Sequence, residues 1–216
     1  MPLQLTLPFS AIRNADFLSN HWLEKRLLRE PEWDALQPAS AAALTKLADL
    51  WSRQKDFVER YGDEAGLEQA FIQPVLEILG WTLKYQSFLQ GRKPDYALFT
   101  TPAAHALAIH AGRDNPDFWK YPTLLADAKA WHVSLDRPIT SGSQREFPPQ
   151  QIEWYLERSN RDCAIRTYGR LWRLVPRHRA THQPRFQTFL ECDLAALLAR
   201  YEKNHLDYTT LEEDRK

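Results

Sequence analysis

Cysteine is scarce: Cys163 and Cys192 are the only two in 216 residues, far apart and without a second pair to complete a metal-ligand pattern. They read as buried free thiols. Glycine occurs only seven times. No glycine-rich loop opens a helix as a phosphate cradle would, and no G-x-S-x-G turn presents a nucleophilic serine. No apolar run approaches the roughly 20 residues that span a bilayer. The N-terminus, MPLQLTLPFSAIRNADFL, lacks a basic leader, an apolar segment and a small-residue cleavage site, so the expected location is the cytoplasm. Net charge is missing too. The 28 basic and 28 acidic residues balance, which leaves the chain no general attraction for a polyanion.

What remains is the make-up of an ordinary folded domain, with 44% hydrophobic and 26% charged residues. The length suits one α/β domain, or a core of about 150 residues with a helical addition. The first 35 residues hold candidates for a strand and a short helix. Leu44, Leu47, Leu50, Trp51 and Phe57 recur at helical spacing and predict an amphipathic helix over 41–61. A second helix is expected from Glu64 to Gly80, with Pro74 as a kink or break. Alternation over Trp81–Phe88 and the run PDYALF at 94–99 predict two strands forming a hairpin. PAAHALAIHAG at 102–112 has proline at its start and glycine at its end, as a helix prefers. TLLADAKAW at 123–131 predicts a strand, 134–149 a long loop, and PPQQIEWYLERSN a helix. CAIRTYG and RLWRLVP form a strand pair around Gly169. FQTFLEC gives a last strand, DLAALLARYEKN a last helix, and 206–216 a tail without packing pattern.

The 123–131 strand is small and apolar except for Asp127 and Lys129, which, two residues apart, project to one face. Two charges in such a strand cost desolvation free energy, and an ion pair at a sheet edge is the plain explanation. Asp95 lies 32 residues upstream, after a proline on the preceding strand candidate. Neighbouring strands bring the two carboxylates together. Hard divalent cations such as magnesium take oxygen ligands of this kind and are completed by substrate phosphate oxygens. Such an ion activates water and neutralises charge developing on a phosphodiester. Lys129 then orients the water as catalytic base or stabilises the charged transition state.

PDYALF followed by ADAKAW resembles the PD-(D/E)xK nuclease signature, with aspartate at the position more often held by glutamate. Glu68, in LEQAFIQPVLEILGW, stands where that superfamily places a further acidic metal ligand, with Glu64 and Glu77 as competitors. Gln151 and Tyr155 in QQIEWYL form a QxxxY pattern similar to the extra motif of RecB-like nucleases, and their spacing puts them on one helix face. The succession of LGW, PDYALF, ADAKAW, LDRP, QQIEWYL and GRLWRL resembles the N-terminal nuclease domain of type IIG restriction-modification enzymes over roughly residues 40–200. CAIRTYG departs from that family's usual strand, and Arg166 within it is unexpected.

The resemblance implies a restriction-endonuclease-like α/β fold, with a central mixed sheet flanked by helices and a helical N-terminal segment. It divides the chain into an extension at 1–40, a nuclease domain at 41–205 and a tail or linker at 206–216. It also implies a magnesium-dependent endodeoxyribonuclease, manganese substituting, acting on double-stranded DNA. Asp95, Asp127 and Glu68 would be the metal ligands, Lys129 catalytic, and Gln151 and Tyr155 supporting. In that family the nuclease is joined to a methyltransferase and a target-recognition domain, and S-adenosylmethionine serves the full-length enzyme without binding the nuclease. This chain has no methyltransferase motifs, so it reads as a fragment aimed by those partner domains, consistent with its neutral charge. A cleavage-inactive docking or regulatory domain of a DNA methyltransferase is the alternative. Arg170, Arg173, Arg177 and Arg179, with Arg185, are candidates for DNA phosphate contacts or simply a solvated basic loop. His178 and His182 have the spacing of a helical metal pair, although arginine and proline around them favour a loop.

Overall fold

The computed structural model describes residues 11–61, 63–131, 133–137, 139–141, 144–178 and 187–213. Near the N-terminus lies strand β1 (Ile12–Ala15), followed by a π turn (Trp22–Arg26) and a 3-10 turn (Leu27–Arg29). The helix expected over 41–61 starts ten residues earlier, as α1 (Pro31–Tyr61). It continues through Pro38, which is exposed, so water can satisfy the carbonyl that loses its donor. Residue 40 therefore lies inside a helix, and the chain offers no break there.

The second helical stretch is built in three pieces, α2 (Glu64–Leu67), a π turn (Glu68–Ile72) and α3 (Gln73–Ile78). Asp63 caps its start by accepting a hydrogen bond from the Gly66 amide. Pro74 accounts for the π turn. It has no N–H to give, and just before it the Gln73 amide reaches back five residues to the Glu68 carbonyl.

Next come β2 (Thr82–Tyr85) and β3 (Tyr96–Phe99), then α4 (Pro102–Ala111), a 3-10 turn (Pro116–Lys120) and β4 (Leu124–Ala128). The expected β2–β3 hairpin is present, with shorter strands than the sequence suggests. The segment expected as loop at 134–149 contains a two-stranded ribbon of β5 (Ile139–Ser141) and β6 (Gln144–Glu146). Helix α5 (Pro148–Ser159) leads to β7 (Cys163–Thr167), β8 (Leu171–Pro176), β9 (Phe189–Asp193) and α6 (Leu194–Glu213). Helix α6 continues through most of the segment read as a tail.

The main sheet has the order β1-β9-β8-β7-β4-β3-β2, with β4 and β7 its parallel pair and antiparallel pairing elsewhere. It is a mixed open sheet with a core on each face. One core joins α1, the α2–α3 stretch and α6 to residues such as Leu98 and Ala126. The other joins α4 and α5 to Ala97, Phe99, Leu125 and Ala164. Strand β1 belongs to this sheet, not to a separate extension. The β4–α5–β7 crossover covers the second face, as parallel strands require. Among the described residues no helix is long and apolar enough to cross a membrane.

Candidate functional site

Antiparallel pairing of Tyr96 with Ala126 sets the centre of the site, because it places Asp95 next to Asp127 on the neighbouring strand. Asp95 stands one residue before β3 and accepts a hydrogen bond from the Ala128 amide through Oδ2, at 2.7 Å. Lys129 lies just past β4. Its Nζ is 2.9 Å from Asp127 Oδ2 and donates to the Ala128 carbonyl at 2.7 Å. The Lys129 amide donates to the Thr167 carbonyl and so prolongs the β4–β7 pairing. Asp127 is 1% exposed and Lys129 6%, so the pair operates away from bulk water, where charge interactions are strong.

Glu68 enters from the π turn, is buried, and faces the Tyr96 hydroxyl. Of its competitors, Glu77 is exposed and accepts from Gln73, while Glu64, exposed at the helix start, is still close enough to act electrostatically on Glu68 and Lys129. The π turn explains the placement, since its extra residue per turn rotates the helix face just where Glu68 sits. Burial raises the Glu68 carboxyl above its ordinary range, with the Tyr96 contact opposing. Burial, then the Asp127 charge, push Asp95 up to about 8, against the pull of Lys129 and the Ala128 amide. Burial works against the Lys129 ammonium, yet Asp127 and Asp95 outweigh it and its affinity for its proton rises. With these carboxylates beside it, Lys129 is placed as a donor and a fixed positive charge.

Gln151 and Tyr155 meet as their spacing predicts. Gln151 Nε2 donates to the Tyr155 hydroxyl at 3.1 Å, which donates to the Lys93 carbonyl at 3.1 Å. The pair thus tethers the backbone two residues before Asp95. Tyr155 is pushed up to about 12, by burial first and then by the Asp127 charge, which places it within electrostatic reach of the centre.

The arginines divide. Arg173 is not a surface cation: it is 2% exposed, its Nε donates to Glu191, and its two Nη atoms grip Asp136 at 2.6 and 2.8 Å. With every arm engaged it has nothing to offer a phosphate. Arg170 is exposed and tied to Asp193. Arg177 donates to the side chains of Asn160 and His178. Arg179, Arg185 and His182 lie outside the described residues.

Three contributors were not singled out from sequence as part of the site. Tyr96 follows the PD pair directly and was readable only as a strand residue. Asp136 belongs to the LDRP stretch, and its role depends on a partner 37 residues away. Arg166 was visible only as an oddity in its strand.

Comparisons with known proteins add nothing to this geometry: no protein-family model matches the chain, and no curated protein or solved structure matches it.

The residues present suit a divalent cation. Three oxygen-bearing acids, Glu68, Asp95 and Asp127, are electrostatically coupled in a largely buried cluster, and a hard cation would relieve their mutual repulsion. Each acid now faces a protein group instead of a common point. Accordingly, among the described residues no three His, Cys, Asp or Glu side chains already form a metal cage.

Proposed function

We propose that this chain is a metal-dependent endodeoxyribonuclease module with a restriction-endonuclease-like fold, of the kind found in type IIG-like restriction-modification enzymes. The observation that carries the reading is the juxtaposition of Asp95, Asp127 and Lys129 at one end of the β3–β4 pair, with buried Glu68 within electrostatic reach of them. Nothing in local sequence requires Glu68 to reach that point, so its arrival is independent support for the motif. The tether from Gln151 and Tyr155 to Lys93 gives the QxxxY pair a positioning role beside it.

Asp95, Asp127 and Glu68 would hold magnesium or manganese. When bound, such an ion supplies a more acidic water and neutralises charge on the phosphodiester. Asp95, raised to about 8, must give up its proton to become a ligand, so the cation competes with that proton at neutral pH and binding tightens as the pH rises. Lys129, kept charged by its neighbours, stabilises the charge that builds on the phosphate. The Ala128 amide holds Asp95 in place until then. Target choice and most of the DNA grip are left to methyltransferase and target-recognition partners.

The test is nicking of supercoiled DNA by the full chain in magnesium or manganese. Asp127→Asn and Lys129→Ala are expected to lose on the order of 100-fold or more in rate. Cutting at the parent rate by Asp127→Asn would overturn the assignment. A parent that neither binds a cation nor nicks DNA would favour a docking domain instead.

A further inference from the structure

Register places four charged residues in a row across the face that carries α5. Asp127 on β4 is opposite Arg166 on β7, Arg166 is opposite Arg173 on β8, and Arg173 is opposite Glu191 on β9. Cross-strand partners share a face, so these side chains are neighbours. The two arginines are treated differently. Arg173 has two carboxylates, from Glu191 and Asp136. Arg166 is fully buried, and among the described residues none of its three guanidinium nitrogens has a hydrogen-bond partner.

An unpartnered guanidinium beside another arginine is costly, and an apolar side chain of similar size would stabilise the strand more. Packing does not account for Arg166. Its position does, because it flanks Asp127 from β7 while Lys129 holds that carboxylate from the end of its own strand.

We infer that Arg166 is a positioning residue whose fixed charge limits the acidic centre to a single divalent cation. The inference rests on reading that centre as a cation site. Two-cation centres use carboxylates shared between ions about 4 Å apart. Here three acids already share their surroundings with two built-in positive charges, Lys129 and Arg166. With all three acids ionised the set carries one net negative charge, so one divalent ion already takes it slightly positive, and a second would pile up several positive charges in a buried place.

Titration of the full chain with Mn²⁺, followed by paramagnetic resonance of the free ion, tests this alongside thermal melting without metal. The parent is expected to bind one ion. Arg166→Lys, which keeps the charge, should stay within about threefold of the parent dissociation constant, and Arg166→Met should bind about tenfold tighter or take a second ion. Arg166→Met should also melt no lower than the parent. If the Met chain does not fold, Arg166→Gln carries the same comparison of neutral against charged. A purely structural Arg166 would shift melting without ordering the affinities by charge. Two ions in the parent, or one ion bound by the neutral variant with the parent's affinity, would overturn the inference and leave the cation centre standing. A parent that binds none would overturn both.

Discussion

Asp95 shows how one carboxyl can carry opposite demands. Burial and the neighbouring Asp127 raise it from 3.8 to about 8, so the folded chain binds its proton more tightly than the unfolded chain does. A group raised in this way contributes stability that is complete below about pH 4 and is lost as the pH rises through about 8. Asp95→Asn keeps an acceptor for the Ala128 amide and removes the titration. Its melting temperature is expected to pull ahead of the parent's between pH 5 and pH 9, by ~5 °C or more at the upper end. A gap that stays constant across that range would show that the carboxyl is already ionised in the folded chain. The motif residues were legible because their types and spacing are local facts: a DxK dipeptide step on a strand must share a face. The partners that set their properties were not, since Ala128's amide and the Tyr96 hydroxyl become relevant only once β3 and β4 pair.

Among elements, the turn between β7 and β8 fixes more than a reversal of direction. Gly169 has φ +87°, and a Cβ there would lie 2.9 Å from the Trp131 ring and 3.1 Å from Leu67. Trp131 stacks on Trp51 and lies two residues past Lys129, and Leu67 directly precedes Glu68. The turn therefore packs against residues adjoining two members of the candidate centre. Gly169→Ala is expected to cost about 2–3 kcal/mol in denaturant unfolding, from backbone strain and overpacking together. An unchanged midpoint would contradict this packing. Sequence patterns revealed the helices and the β2–β3 hairpin, whose periodicity comes from burying one face. They missed elements whose existence depends on distant pairing or on tolerance. Strand β1, IRNA, has no alternation of its own and is a strand because β9 pairs with it. Helix α1 extends through an exposed proline that propensity alone would treat as a stop. Pro74 signalled a break and produced a π turn instead, a choice that depends on how the following turn packs.

At the scale of the molecule, balanced charge and engaged arginines set the strength of any contact with DNA. Arg173 is enclosed and Arg170 is paired with Asp193, which removes two of the arginines expected to contact phosphates, and the 28 basic residues are matched by 28 acidic ones. Binding of the full chain to duplex DNA, read by fluorescence anisotropy against salt, is expected to give a log–log slope no steeper than about 3, equivalent to roughly three phosphates. A slope of about 6 or more would mean that the chain grips DNA by itself and needs no partner domain for affinity.

The pairing of Ile12–Ala15 with residues 189–192 also bears on how the chain is assembled. Among the described strands of this sheet, β1 comes first in sequence and its partner β9 comes last. Closing that contact spans about 180 residues, so it comes at the entropic end of folding. Until then β9's outer edge has no neighbour and β1 has no sheet to join. Joining the first and last of these strands is what completes the sheet's edge.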